Sequence, residues 1–276
     1  MINIVFDTVS TTGKHVAHIK SKLDRDEVIE TLNWLTEIDY GPQHSDFLRR
    51  RQPGTGQWLL DSFKYQAWLN AGKQTLFCPG IPGAGKTILT SIVVNDITTR
   101  YQNDPTISIA YIYYNFQRKF EINDLLMSIL KQLVQGHSLP SSVESLYNRH
   151  KGRGTRPSFD EISKTLQSVA TMYSRTFIVV DALDECQVSD GCRTRFLAEL
   201  FILQNKCGTN IFATSRFIPE IVEEFKQSIL LEIRANDEDV RKYVDVRISL
   251  GESHILRRPD MREKTITEIV KAADGM

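Results

Sequence analysis

The feature that most constrains this chain is a glycine-rich octapeptide, Gly80-Ile81-Pro82-Gly83-Ala84-Gly85-Lys86-Thr87. It matches G-x-x-x-x-G-K-[ST], a pattern whose loop cradles phosphate groups. The apolar run 75–78 before it predicts a buried strand, and the breaker-free run 88–94 after it predicts a helix. A chance glycine turn is the alternative, but a strand, a turn and a helix in this order are the context that the motif requires.

The motif assigns a role to each part of the loop. The glycines allow positive φ angles and let backbone N–H groups approach phosphate oxygens, and the helix N-terminus adds its positive dipole end. Lys86 would reach the β- and γ-phosphates, and the Thr87 hydroxyl would bind Mg²⁺. We therefore predict that residues 80–87 bind a nucleotide.

Composition excludes some classes of function. The chain of 276 residues has 34 basic and 34 acidic side chains, so its formal net charge is zero, which argues against a role in coating nucleic acid. No apolar run is long enough to span a bilayer, and residues 1–7 lack the features of a signal peptide. We predict a cytoplasmic protein with one sizeable core and no membrane span.

Strand and helix patterns alternate along the chain, which predicts an α/β fold whose parallel sheet is covered by helices on both faces. Residues 47–58 are predicted to be a loop, and residues 59–69 one helix anchored by Trp58, Phe63 and Trp68. The predicted strands are 75–78, 107–114, 176–180, 210–214 and 229–233. The other predicted helices are 24–40, 88–101, 123–134, part of 136–156, 158–173, 195–204, 219–226, 237–249 and 261–273.

An acidic segment follows the third predicted strand. Phe177 to Val180 is apolar and ends in Asp181, which a parallel sheet would place opposite Thr87 and the metal. Asp184 and Glu185 follow at once, and hydrolysis needs a group that orients or deprotonates the attacking water. We predict that Glu185 is the base and that Asp184 assists at the metal or the water. A solvated acidic turn is the alternative.

A cation follows the fourth predicted strand. Residues 211–214 are followed by Ser215 and Arg216. An arginine near a γ-phosphate can stabilise charge in the transition state or report which nucleotide is bound. A lone arginine after a strand is more often a surface residue, but its place after the two other motifs favours the functional interpretation.

These three motifs, in this order, resemble the NACHT NTPases of the STAND class. The likeness is strongest to the nephrocystin-like N-terminal P-loop domain of fungal heterokaryon-incompatibility and ankyrin-repeat proteins. The segment 52–62 also resembles those proteins, and the likeness extends from about residue 28 to the end of the chain.

The resemblance implies a P-loop NTPase with a five-stranded parallel sheet. In it the strand before Arg216 lies between the strand before the glycine loop and the strand that ends at Asp181. Arg216 would then sense the γ-phosphate, and the loop 54–58, with Gly56, would lie near the nucleotide base. The implied domains are a helical lead-in and loop (1–70), the NTPase core (71–234) and an incomplete helical lid (235–276).

The resemblance also implies a nucleotide switch that holds ADP at rest and ATP or GTP when triggered. Its protein partners would act through fused or missing effector and repeat domains. Because relatives continue beyond the position of Met276 into more of the lid, we expect this chain alone to hold ADP loosely. Three activities stay open at this point: slow hydrolysis, nucleotide binding as a scaffold without useful turnover, and phosphoryl transfer to a small molecule.

Overall fold

The computed structural model describes residues 25–115, 119–186, 191–250 and 259–273. Residues 1–24 of the predicted lead-in therefore lie outside the described residues, as does the end of the predicted lid at 274–276. In the described part of the chain, no helix combines the length and the apolar character that crossing a membrane requires.

A parallel sheet of five strands forms the centre of the molecule, in the order β2-β3-β4-β1-β5. The strands are β1 (Thr75–Pro79), β2 (Ile107–Tyr113), β3 (Arg175–Asp181), β4 (Asn210–Ser215) and β5 (Ile229–Leu230). This confirms the α/β fold and the predicted position of β4 between β1 and β3. The register pairs Pro79 with Ser215 and Tyr113 with Asp181, so the carboxyl ends of the strands meet at one edge.

Helices cover both faces of this sheet. The first described helix, α1, spans 25–35. The others are α2 (Gly41–Arg50), α3 (Gln57–Asp61), α4 (Phe63–Asn70), α5 (Lys86–Tyr101), α6 (Ile122–Val134), α7 (Ser141–Lys151), α8 (Phe159–Ala170), α9 (Cys192–Cys207), α10 (Pro219–Glu224), α11 (Asp237–Leu250) and α12 (Pro259–Ala273).

The core consists of two apolar clusters that the sheet separates. Along β3, Ile178 and Val180 belong to the cluster with α6, α8 and α9, whereas Phe177 and Val179 belong to the cluster with α4 and α5. Successive side chains of a strand point to opposite faces, and both faces of this strand are buried. The continuous apolar run 177–180 is what a strand covered on both sides requires.

The segment before β1 differs from the prediction. Residues 41–50 form helix α2, so residues 47–50 of the predicted loop at 47–58 are helical. Pro42 is compatible with this helix because it lies in the first turn, where a missing N–H costs nothing. The single helix predicted at 59–69 is two helices. Ser62 has an extended backbone between them, and its hydroxyl accepts the N–H of Tyr65.

The break at Ser62 also changes which side chains anchor this segment. Phe63 is 86% exposed, so its prediction as an anchor was wrong. Trp68 is fully buried, as predicted, and Tyr65 takes the place of Phe63: it is also fully buried, and its hydroxyl donates to Asp96 of α5 at 2.7 Å.

Candidate phosphate-binding site

The glycine loop joins β1 to α5 at the carboxyl edge of the sheet. Gly83 and Gly85 have positive φ angles of 85° and 89°, as the motif predicts. Gly80 is glycine for another reason, because a Cβ there would lie 2.4 Å from the carbonyl oxygen of Ile233. Its N–H donates to the carbonyl of Ser215 at 3.0 Å, which fixes the start of the loop against β4.

The start of α5 has the properties of an anion site. Its first turn contains no acidic residue, and no side chain caps its N-terminus at Gly85. The Lys86 Nζ donates to the carbonyls of Gly80 and Ile81, at 2.8 Å each, and so lies across the loop. Partial burial lowers the pKa of Lys86, and the neighbouring carboxylates of Asp184 and Asp181 oppose that shift. The loop therefore combines the N-terminus of a helix with a cation, Lys86, that lies across it.

Asp181 is the buried centre of the site. It ends β3, is 1% exposed, and its Oδ1 lies 2.8 Å from the hydroxyl of Thr90 and 2.7 Å from that of Thr214. The Thr87 side chain also lies beside this carboxylate and lowers its pKa. The structure thus brings together the two residues predicted to hold the metal, Thr87 from α5 and Asp181 from β3.

The environment of Asp181 suits a bound cation. Burial raises the pKa of its carboxyl, and the hydrogen bonds from Thr214, Thr87 and Thr90 lower it again only in part. A buried carboxylate beside a hydroxyl supplies the hard oxygen ligands that Mg²⁺ prefers, and phosphate oxygens and water would complete the set. The residues therefore fit Mg²⁺ by the chemistry of the donors.

The acidic turn after Asp181 is held in an unusual backbone conformation. Ala182 has a φ of 53°, in the left-handed region that favours glycine, and Leu183–Glu185 form one 3₁₀ turn. The Ala182 N–H donates to the Thr214 hydroxyl at 2.9 Å. Through this contact Thr214 ties the start of the turn to β4.

Asp184 and Arg216 form an ion pair in this conformation. The Asp184 side chain is 3% exposed, and it accepts the backbone N–H of Arg216 at 2.9 Å and the guanidinium Nε at 2.5 Å. This contact raises the pKa of Arg216. The two residues that were predicted to act on water and on the γ-phosphate therefore contact each other, while Glu185 is half-buried beside them.

A cavity of about 300 Å³, here called the base cavity, opens beside the glycine loop. Its lining includes Gly83–Gly85 of the loop, Gly56, and residues of α5 and α11. The Gly56 N–H donates to Asp239 Oδ2 of α11 at 2.8 Å. The structure thus places Gly56 next to the phosphate loop, where the resemblance implied the nucleotide base would lie.

Sequence reasoning did not identify three residues of this arrangement. Thr90 lies three residues after Thr87 on the same helix face, so its spacing was a usable signal for a second contact to Asp181. Thr214 was noted only as part of a strand end, because a buried threonine in a strand has many structural uses. Asp239 carries no local signal, since only the tertiary fold brings α11 to the loop before β1.

Among the solved structures that resemble this chain are three that are each less than 20% identical to it. The Cdc6p structure from Pyrobaculum aerophilum has a TM-score of 0.48 and 15% identity, over 78% of this chain and 54% of its own. The Aeropyrum pernix ORC2 protein has 0.47 and 16%, over 73% and 52%. AMPPCP-bound DnaA from Aquifex aeolicus has 0.43 and 16%, over 82% and 63%.

This chain therefore spans between about half and two thirds of the length of those structures. No curated protein is significantly similar to it.

A protein-family model described as "Nephrocystin 3, N-terminal" matches residues 54–216, which is more than half of the chain. The matched range begins just before Gly56, contains the glycine loop and the acidic turn, and ends at Arg216. The chain therefore belongs to the nephrocystin 3 N-terminal family, a P-loop NTPase fold, as its sequence motifs predicted.

Proposed function

We propose that this chain binds a nucleoside triphosphate with Mg²⁺ and hydrolyses it slowly, as a signalling switch of the NACHT and STAND type. The observation that carries the proposal is the closeness of Thr87 to the buried carboxylate of Asp181, beside Lys86. These residues come from α5 and β3, and their closeness at the carboxyl edge of the sheet supports a site that would bind phosphate and a divalent cation together.

The loop residues would bind the phosphates. The N–H groups at the start of α5 face the anion, and Lys86 would exchange its two carbonyl contacts for phosphate oxygens. Thr87 and Asp181 would hold Mg²⁺, which when bound neutralises part of the charge on the β- and γ-phosphates. The nucleotide would be ATP or GTP in the active state and ADP in the resting state.

Hydrolysis would depend on the acidic turn. Glu185 would orient or deprotonate the attacking water, and Arg216 would contact the γ-phosphate. For Arg216 to do so it must leave Asp184, and that carboxylate then becomes available to the water or the metal. Binding of a triphosphate and rearrangement of the turn are therefore coupled in this proposal.

A second candidate function is a nucleotide-binding scaffold without useful turnover. The ion pair between Asp184 and Arg216 favours it, because in this conformation neither side chain is directed to a substrate. Measurement of released γ-phosphate distinguishes the two functions. Turnover that stays at the level of buffer alone, with intact binding, would identify the scaffold.

The wider biological role is also a proposal. We propose a cytoplasmic protein of fungal self/non-self recognition, with the lead-in 1–70, the core 71–234 and a lid from 235 onward as separate units. Protein partners would act through effector and repeat domains. The zero net charge supports the view that nucleic acid is not a partner, although one DnaA structure with a similar fold is bound to single-stranded DNA.

The binding test is Lys86→Ala, measured by titration calorimetry with a non-hydrolysable triphosphate and Mg²⁺. Loss of a charge-assisted phosphate contact costs about 2–4 kcal/mol, which lowers affinity roughly 30- to 900-fold. Lys226→Ala is the matched control, because Lys226 is exposed, lies just after α10 and forms its ion pair with Glu223, away from the glycine loop. Equal affinities of Lys86→Ala and the parent, with both folded, would remove the loop from the proposal.

The turnover test is Glu185→Gln, which keeps the shape of the side chain and removes its basicity. Phosphate release should fall by about 10²-fold or more while nucleotide affinity is retained. Unchanged release would show that Glu185 is not the base, and Asp184→Asn is then the variant that tests the remaining acid.

A further inference from the structure

We propose that the base cavity selects guanine over adenine and that Asp239 makes this selection. The inference rests on the proposed function, since it assumes that a nucleotide places its phosphates in the glycine loop. The base cavity adjoins Gly83–Gly85 directly, so a nucleotide held by that loop would extend its base into this cavity.

The position of the Gly56 N–H in the base cavity is fixed by close packing. Gly56 has a φ of 78°, and a Cβ on it would lie 2.3 Å from Ile92 Cδ1 and 3.0 Å from Leu89 Cδ2. The loop backbone therefore lies closely against α5, and a side chain at this position would require Ile92 and Leu89 to move. Its N–H points across the cavity to α11 and is buried with the residue.

The Asp239 carboxylate faces this N–H from the first turn of α11. Its Oδ2 accepts the Gly56 N–H at 2.8 Å, and the Asp239 backbone N–H donates to Asn236 Oδ1 at 3.1 Å, which orders the turn. Among the described residues, no hydrogen bond is made to Asp239 Oδ1. A second acceptor oxygen is thus present beside the bonded one.

The other charged groups that line the base cavity have acidic partners of their own. Arg50 contacts Asp46 at 2.5 Å, and Arg234 contacts Glu232 at 2.8 Å. Asp239 is therefore the acidic member of the lining. The remaining walls are mainly apolar and suit the faces of a planar ring: Ala84, Ile88, Leu89, Ile92 and Val240.

The hydrogen-bonding edges of the two purines differ in how well they match this pair of groups. Guanine presents two adjacent donors, N1–H and the N2 amino group, next to the acceptor O6. A carboxylate can accept both donors at once, and a neighbouring N–H can serve O6. Adenine presents one donor, its amino group, beside the acceptor N1, which would face a carboxylate oxygen without a proton between them.

The expected preference follows from this difference. A bidentate contact to the correct base contributes about 1–3 kcal/mol of discrimination, so GTP should bind roughly 5- to 150-fold more tightly than ATP. The contact is charge-assisted and lies in a partly enclosed cavity, both of which strengthen it relative to an exposed neutral pair.

The experiment is Asp239→Asn, with affinities measured for ATP, GTP and xanthosine triphosphate in the presence of Mg²⁺. Xanthine carries a carbonyl in place of the guanine N2 amino group. That carbonyl oxygen repels a carboxylate but accepts a hydrogen bond from the N–H of an amide side chain. We expect the parent to bind GTP most tightly, and Asp239→Asn to bind xanthosine triphosphate more tightly than GTP. Asp237→Asn, an exposed acid in the same first turn, is the matched control and should leave all three affinities unchanged.

Three results would overturn the inference. One is a parent that binds ATP as tightly as GTP, which leaves nucleotide binding intact and removes only the assignment of the base. Another is an equal loss of all three affinities in Asp239→Asn, which would mean that the carboxylate only ties the Gly56 loop to α11. The third is a parent that binds no triphosphate at all, which refutes the proposed function together with this inference.

Discussion

Thr214→Val removes one hydroxyl from the buried network around Asp181 and changes little else, since the two side chains have nearly the same shape. Thr214 is fully buried, and its Oγ1 donates to Asp181 at 2.7 Å while accepting the Ala182 N–H at 2.9 Å. The substitution therefore leaves a buried carboxylate with one donor fewer and a backbone N–H without its acceptor. Both losses occur where water cannot replace the missing group.

The expected cost follows from these two contacts. A hydrogen bond to a charged group contributes about 1.5–3 kcal/mol, and an unsatisfied buried polar group costs about 1–3 kcal/mol. Because Thr90 still donates to Asp181, we expect a total of about 2–4 kcal/mol rather than the full sum. A domain with a free energy of unfolding of about 5–15 kcal/mol would lose a large share of it.

The matched control is Thr176→Val, one strand away in the same sheet. Thr176 is also fully buried, but its hydroxyl has no hydrogen-bond partner among the described residues. Its replacement by valine removes an unsatisfied group, so stability should stay the same or rise by about 1 kcal/mol. Equilibrium unfolding in urea, without nucleotide, gives both values. Equal stability of the two variants would refute the account of the Asp181 network.

Three further predictions follow from local geometry. Ala182→Gly should raise the free energy of unfolding by roughly 0.5–1 kcal/mol in urea titrations, because a positive φ costs alanine about 1–2 kcal/mol and the freedom of glycine in the unfolded chain offsets part of that. Gly56→Ala should destabilise by about 1–3 kcal/mol more than Gly54→Ala, since both have positive φ but only the Gly56 Cβ meets a carbon at 2.3 Å. Hydrogen bonds from Ser158 lower the pKa of Glu161 to about 2, so its contribution is present above pH 4.5 and is lost as pH falls from 4.5 to about 2. The urea midpoint of Glu161→Gln should approach that of the parent across this interval, and a constant difference would contradict the assignment.

The parts of the fold that the sequence predicted correctly are those with a local physical cause. The strand 177–180 is apolar throughout because both faces of the sheet are covered, and Ser158 with Glu161 forms the capping box that starts α8. Helix α2 was missed because the pair Gly41-Pro42, which the sequence analysis took as the end of a helix, lies in the first turn of one. The pattern of turn residues alone does not distinguish these two uses.

The candidate site was predictable to a similar extent. Residues 80–87 and Asp181 follow from motifs whose chemistry fixes the spacing, and the structure brings Thr87 to Asp181. The ion pair of Asp184 with Arg216 was not predictable, since it joins the ends of two strands through a turn that depends on a left-handed alanine. The contact of Gly56 with Asp239 spans 183 residues, and no local pattern reports it.

These contacts connect the ligands proposed for the metal to the proposed phosphate sensor through one short stretch of chain. Thr214 holds Asp181 and Ala182 at one end of the acidic turn, and Arg216 holds Asp184 at the other. Both sets of contacts are made by residues 214–216 at the end of β4. The acidic turn therefore moves with that strand end unless one set of contacts breaks. A triphosphate that attracts Arg216 breaks the outer anchor, which is half exposed, and leaves the buried inner one in place. The geometry thus allows Asp184 to change partners without disturbing Asp181, which is the property that a switch between two nucleotide states requires.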